Sequence, residues 1–218
     1  MFDYTLIRSD RTTLSIEIDR EGGLIVRAPR RMDKATIERF LESRAEWIDE
    51  KRRLARERRA AVVSKNPDEP QTVWFHGSQL RLLQHEEQRV EIRDDALIVP
   101  QSWTQAHLRA WLKQACKLDL QLRVPAAAAT LGVQPTGLHV TDAKTRWGSC
   151  SSKNSLNFSW RLIFCPPEVM DYVVIHELCH IRHKNHSAAF WALVAEYDPQ
   201  YETHRAWLGL HAALMDLF

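Results

Sequence analysis

The stretch Pro167–Trp191, PEVMDYVVIHELCHIRHKNHSAAFW, decides how this chain is read. Pro166-Pro167 opens a helix, because a proline in the first turn lacks only an N–H that the helix would leave unpaired. Met170, Val174, Leu178 and Ile181 then recur at helical spacing and form an apolar stripe. His176 and His180 stand four apart, so both imidazoles leave one face a turn apart and can converge on one metal ion. Glu177 flanks that face, where its carboxylate can take the proton of an attacking water as general base. The predicted helix runs through His180 and has a chemical face and a core face.

A third ligand follows from geometry. His183 lies on the same face as His176, but at about 1.5 Å of rise per residue the two are roughly 10 Å apart along the axis. Bonds of about 2 Å to one zinc do not span that distance. The chain has to turn first, and Asn185 can take the left-handed conformation that ends a helix and returns His186 to the ion. His186 is therefore the expected third ligand, with Glu196 on the following helix as the alternative. Three protein ligands leave a fourth position open for water, and the implied cofactor is one Zn2+ per chain.

Working outward from this segment, the second half of the chain alternates helix and strand. Thr104 caps a helix carrying Leu108, Trp111, Leu112, Ala115, Leu118 and Leu122, which Pro125 is expected to break or kink before the alanine run. Strands follow at 137–141 and 155–162, the second because Leu156, Phe158, Trp160 and Leu162 alternate with Asn157, Ser159 and Arg161. Helical stretches at 187–197 and 199–215 close the chain.

The first hundred residues read as strands with one long helix inserted. Leu14, Ile16 and Ile18 alternate with polar neighbours, Glu21-Gly22-Gly23 turns, and Leu24-Ile25-Val26 returns as a hairpin. From Asp33, a helix cap, Ile37, Phe40, Leu41 and Ile48 keep helical spacing into the basic run KRRLARERRA at 51–60. The polar, proline-bearing segment 64–71 is a loop or linker, and further strands are expected at 73–75, 80–82, 90–92 and 96–99. The expected class is α+β: a β-rich region with an inserted helix over 1–100, then a metallohydrolase domain with a small sheet over 101–218.

Composition narrows the function classes. With 44% hydrophobic and 27% charged residues the chain can bury a real core, and a formal charge of +2 makes it no global binder of polyanions. No apolar run approaches the about eighteen residues that cross a bilayer, and MFDYTLIRSDR has no signal-peptide core, so a cytoplasmic protein without a membrane role is expected. Cys116, Cys150, Cys165 and Cys179 form no C-x-x-C pair and should stay thiols. Neither a glycine-rich phosphate loop nor a G-x-S-x-G elbow occurs, which excludes those routes to nucleotide binding and serine chemistry.

A broader pattern joins these residues. The run Lys144–Ser151 (KTRWGSCS), Asn157, Trp160-Arg161-Leu162, Pro166-Pro167, HELCH, and His186–Trp191 (HSAAFW) resembles the YgjP-like metallopeptidase family, related to the SprT and spartan proteases. The resemblance is close over residues 138–210 and loose elsewhere. It implies a zincin-type catalytic domain, zinc on His176, His180 and His186, and a catalytic Glu177. Arg146 and Trp147 fall in a turn-rich stretch that belongs beside the cleft, where the guanidinium suits a substrate carboxylate or phosphate or else a structural salt bridge; His183 is either a contact to substrate or to the ligands, or a solvated helix end.

Two bond types suit this chemistry. A peptide would extend along the strand 155–162, taken as an exposed edge, whereas Lys144, Arg146, Lys153, Arg161, Arg182 and Lys184 suit a nucleotide phosphoanhydride. Peptide or protein is the expected substrate and nucleotide the alternative. A third reading is an adaptor with a structural metal that binds nucleic acid or protein through Arg52, Arg53, Arg56, Arg58 and Arg59.

Overall fold

The computed structural model describes residues 2–19, 22–62 and 71–218, with no side chain described at 58–62. It separates into two compact units, Met1–Lys65 with His211–Ala213, and Asn66–Leu210 with Leu214–Phe218. Both mix helices with small sheets, an α+β architecture.

In the first unit, β1 (Thr5–Ser9), β2 (Ser15–Ile18) and β3 (Leu24–Pro29) lie in the order β1-β3-β2, with β2 antiparallel and β1 parallel to β3. The β2–β3 hairpin is the one the alternation predicts. Gly22 turns it at φ 85°, and the Asp19 carboxylate accepts the Gly23 N–H at 2.6 Å; Glu21 lies outside the described residues. All five residues of β1 are exposed, so no alternation announces that strand.

The single long helix expected from Asp33 is two helices, α1 (Lys34–Glu42) and α2 (Ala45–Val62). Asp33 caps α1 by accepting the Thr36 N–H at 2.8 Å. The break follows because the Ser43 hydroxyl donates to the Phe40 carbonyl at 2.7 Å and the Arg44 N–H donates to Leu41, which tightens the last turn and ends the ladder. Ile37, Leu41 and Ile48 still bury with Leu24, Val26 and Ala28. Each such buried aliphatic chain contributes about 1.5–3 kcal/mol. Of the linker expected at 64–71, residues 64–70 lie outside the described residues.

The second unit holds the strands β4 (Thr72–Phe75), β5 (Ser78–His85), β6 (Glu91–Arg93) and β7 (Ala96–Pro100) in the order β4-β5-β7-β6. The chain continues through α3 (Gln105–Leu131), β8 (Gly137–Thr141), β9 (Gly148–Cys150), β10 (Ser155–Ser159), a 3-10 helix Trp160–Phe164, α4 (Pro167–Cys179), α5 (Ala188–Tyr197) and α6 (Tyr201–Leu210), all in this unit, and ends with a 3-10 helix Ala212–Asp216. The division at 65/66 replaces the one expected at 100. The β4–β5 turn is bonded to the later part of the unit: His76 and Gly77 N–H donate to the Ile163 and Phe164 carbonyls at 2.8 and 3.0 Å, and Phe75 stacks on Trp111.

Two further expectations fail locally. Helix α3 continues through Pro125 without the expected break; the carbonyl that the proline leaves without an N–H partner belongs to the exposed Gln121, while Val124 and Ala128 stay buried. Strand β10 ends at Ser159 rather than 162, since the Ser159 side chain accepts the Arg161 N–H and starts the 3-10 helix. Arg161 is fully buried there, donating to Asp142 and to the Leu217 and Phe218 carbonyls.

Strand β10 is the centre of a sheet ordered β8-β10-β9, parallel to β8 and antiparallel to β9. It therefore offers no free edge to a peptide; that expectation is overturned because both of its sides are paired. Its inner face carries Leu156 and Phe158, both fully buried, and α4 packs beside β9 and against α3, α5 and α6. Enclosure on so many sides buries α4 beyond the expected stripe, with Val169, Tyr172, Val173, Glu177 and Cys179 also buried.

Candidate metal centre

Helix α4 delivers His176 from its last turn, and His180 follows at its C-cap, still right-handed at φ −66° and ψ −13°. The chain then tightens through Ile181 N–H to Leu178 and Arg182 N–H to Cys179, and reaches Ser187, which caps α5 by accepting the Phe190 N–H at 3.4 Å. His186 precedes that cap and turns back to the helix. The reversal does not use the expected left-handed Asn185, which is not among the described residues with positive φ. Backbone hydrogen bonds spanning three residues instead of four end the helix before the turn, and the Lys184 ammonium fastens the turn to Ser151 O at 3.2 Å and Asn154 Oδ1 at 2.6 Å.

One ligating nitrogen each from His176, His180 and His186 lies within 4.8 Å of the others, and His176 Nε2 is 3.1 Å from His186 Nε2. Tetrahedral bonds of 2.0–2.1 Å would set such nitrogens about 3.3–3.4 Å apart, so the cluster fits a zinc ion with only small adjustments. The donor chemistry fits too. Burial, then the neighbouring His180 and His186, pushes His176 down to about 3, and burial lowers His180, which keeps both as neutral imidazoles with a lone pair to give.

Outer contacts set the ring orientations. His180 Nδ1 donates to the His183 carbonyl at 3.0 Å, leaving Nε2 as its ligating atom, and the Tyr172 hydroxyl stands 3.5 Å from His176 Nδ1. Phe190, fully buried, stacks on His180 and meets His176 and His186 edge-on. Trp191 stacks on His186 and on Tyr201, with the Arg205 guanidinium 4.9 Å from its ring.

Glu177 is only 6% exposed. Burial pushes its carboxyl up to about 7, against the Cys150 backbone N–H that it accepts and the Arg146 charge, both of which favour the anion. Gly148 makes room for it: a Cβ at that position would lie 2.7 Å from Glu177 Cγ and 2.8 Å from Oε1. The carboxylate thus lies against the outer edge of β9, beside the histidine cluster, poised to change protonation near neutral pH.

Of the other residues singled out from the sequence, Arg146 lines a cavity next to Glu177. Trp147 contributes its carbonyl, which accepts the Ser159 N–H at 2.8 Å and extends the β9–β10 ladder. His183 acts through its carbonyl on His180, and its ring stays outside the cluster. Glu196 does not join the cluster either; its charge acts on Cys179. Sequence reasoning missed Tyr172, which helical spacing puts one turn before His176, and Phe190, which lies in α5 while His186 precedes that helix, so no periodicity links the two. Gly148 and Arg205 carried no such signal.

All four cysteines are free thiols. Among the described residues no helix is long and apolar enough to cross a membrane. In the first unit, Arg53 is ion-paired with Glu50 and Glu57, and Arg52 donates to the Asp3 carbonyl; the side chains of Arg58 and Arg59 lie outside the described residues.

A UTP pyrophosphatase of Escherichia coli (strain K12) is 29% identical over 65 residues, which make up 30% of this chain and 39% of that protein. The crystal structure of the metallopeptidase zymogen of Pyrococcus abyssi abylysin matches at a TM-score of 0.38 and 21% identity, over 41% of this chain and 90% of that one. The model of the YgjP-like metallopeptidase domain matches residues 12–211, nearly the whole chain, and with that match the protein belongs to the YgjP-like family of metallopeptidase-type hydrolases.

Proposed function

We propose that the chain is a zinc-dependent peptidase with a zincin-like catalytic centre, in which His176, His180 and His186 hold the metal and Glu177 is the general base. The observation that carries this reading is the convergence of three imidazoles, one ligating nitrogen from each within 4.8 Å of the others, next to a buried carboxylate held at the edge of β9. A zinc ion held by these residues would supply Lewis acidity and would make a water more acidic. Glu177 accepts that water's proton and returns it to the leaving nitrogen, a role suited to a carboxyl held near neutrality.

The main chain orients the base. The Cys150 N–H bond and the absence of a side chain at Gly148 fix where the Glu177 oxygens lie. In the β9–β10 ladder, Trp147, Ser149 and Ser151 bond inward, so Gly148 and Cys150 point their N–H and C=O groups outward along β9. An extended peptide is expected to pair with the groups that remain there, in place of the central strand β10. Four free thiols suit the reducing cytoplasm.

A second reading, hydrolysis of a phosphoanhydride, has its own support. Arg146 acts electrostatically on Glu177 and Arg205 on His176, and neither guanidinium has an ion-pair partner among the described residues. Two such cations flanking the cluster suit a polyanion, and the similarity to a UTP pyrophosphatase points the same way. Parallel turnover assays on a peptide library and on nucleoside triphosphates decide between them: peptide cleavage that disappears in Glu177→Gln supports the first reading. Nucleotide hydrolysis alone, lost in the same variant, replaces it with the second.

A further inference from the structure

The sheet β8-β10-β9 has one apolar and one polar face. Leu156 and Phe158 are fully buried on the inner side, so alternation sends Ser155, Asn157 and Ser159 to the other. Register places Ser149 directly across from Asn157, and cross-strand partners share a face. Over this polar face lies a cavity of about 270 Å³, lined by Arg146, Ser149, Asn157, Thr141, Ser159 and Gly148 together with Ala143.

The lining groups divide by what they already bond. Thr141 donates to the Phe158 carbonyl at 3.3 Å and Ser159 to the Ala143 carbonyl at 2.7 Å, so their hydroxyls serve the backbone. Arg146, Ser149 and Asn157, by contrast, have no side-chain hydrogen bond or ion pair among the described residues. No acidic side chain lines the cavity. Asp142, adjacent in sequence, is committed to Arg109, Trp160 and Arg161. Gly148 connects the two regions, because it lines the cavity and also abuts Glu177.

We propose that this cavity is an oxyanion subsite of the active centre, taking a carboxylate or phosphate group of the substrate. The Arg146 guanidinium supplies the charge, and the Ser149 hydroxyl and Asn157 amide donate the remaining hydrogen bonds. An unpaired cation beside two free donors favours an oxyanion over a neutral group, and the volume admits one carboxylate or phosphate with water beside it. Its role in substrate choice rests on the hydrolase reading above. The oxyanion can belong to an acidic side chain near a scissile peptide bond or to a phosphate of a nucleotide.

Calorimetric titration of the metal-loaded 218-residue chain with inorganic phosphate, and separately with glutarate, tests the subsite without measuring turnover. One saturable site is expected for at least one anion, weakened about tenfold or more by Arg146→Gln and also by the charge-neutral Asn157→Ala. Tighter phosphate binding identifies a phosphate source, and tighter glutarate binding an acidic side chain. Ser149→Ala replaces Asn157→Ala if the latter unfolds, as checked by circular dichroism. Absence of saturable binding, or binding insensitive to Arg146→Gln and the neutral variant, overturns the proposal, the latter placing the anion elsewhere. Glu177→Gln should bind the anion like the wild type, so loss of its turnover without anion binding rejects the subsite alone. Full turnover with normal anion binding rejects Glu177 as base and keeps the subsite.

Discussion

Replacing Gly148 with alanine puts a methyl group where Glu177 now lies. The new Cβ would meet Glu177 Cγ at 2.7 Å, Oε1 at 2.8 Å and Cδ at 3.0 Å. Non-bonded carbons settle at about 3.5–4.0 Å, so the carboxylate has to retreat by roughly 1 Å. It is buried against β9, and its bond from the Cys150 N–H lengthens as it moves. Gly148 is not at positive φ, so its backbone accepts alanine and the fold should persist. A misplacement of about 1 Å costs up to about 10²-fold in rate, so kcat should fall by about 10–100-fold, or ~1.4–2.7 kcal/mol of barrier. Elemental analysis should find the metal retained, because the three histidines are untouched. In a Glu177→Gln background the same alanine should cost little more, since the base is already gone. A metal-loaded Gly148→Ala enzyme with wild-type kcat would refute the placement of Glu177 as base.

Other predictions concern stability and binding. Burial pushes the Asp142 carboxyl up, but hydrogen bonds from Trp160 and Arg161 and the charge of Arg109 outweigh it and hold it at about 2, below the usual 3.8. Because the folded value is depressed, this stabilisation is fully present above about pH 4 and is lost as the pH falls through about 2; with the side chain 45% exposed it is worth only ~1 kcal/mol. Asp142→Ala should therefore lower the thermal midpoint at pH 7 and lose less stability than wild type between pH 4 and 2; equal acid sensitivity counts against the assignment. Charge reversal at Arg52, Arg53 and Arg56 should weaken any nucleic-acid binding measured by fluorescence anisotropy while leaving small-substrate turnover nearly intact. A folded variant that loses turnover contradicts that separation.

Spacing made the centre of this site legible. The four-residue interval from His176 to His180 and the need for a reversal before His186 were enough to name three side chains that the fold brings together. The surroundings were less so. Strand β9 has only three residues, Gly148–Cys150, too few for an alternation, yet it sets the position of Glu177. At 160–164 every residue is buried, so an apolar alternation resembling a strand belongs to a 3-10 helix. The place of Arg205 depends on α6 returning to Trp191, a long-range contact that local periodicity cannot encode. Pro125 failed as a punctuation mark: α3 continues through it, with the lost bond at the exposed Gln121 and with Val124 and Ala128 buried.

The most direct test of the three-histidine hydrolase is metal content measured together with turnover, for the wild type, Glu177→Gln and His180→Ala, on a panel of peptides, protein–DNA adducts and nucleoside triphosphates. Wild type should carry one divalent ion per chain and turn over at least one of these substrates. Glu177→Gln should keep the ion and lose about 10²–10⁴ in turnover, whereas His180→Ala should lose ion and activity together. A metal-loaded Glu177→Gln protein turning over at the wild-type rate, or a His180→Ala protein with full metal content, would contradict the account.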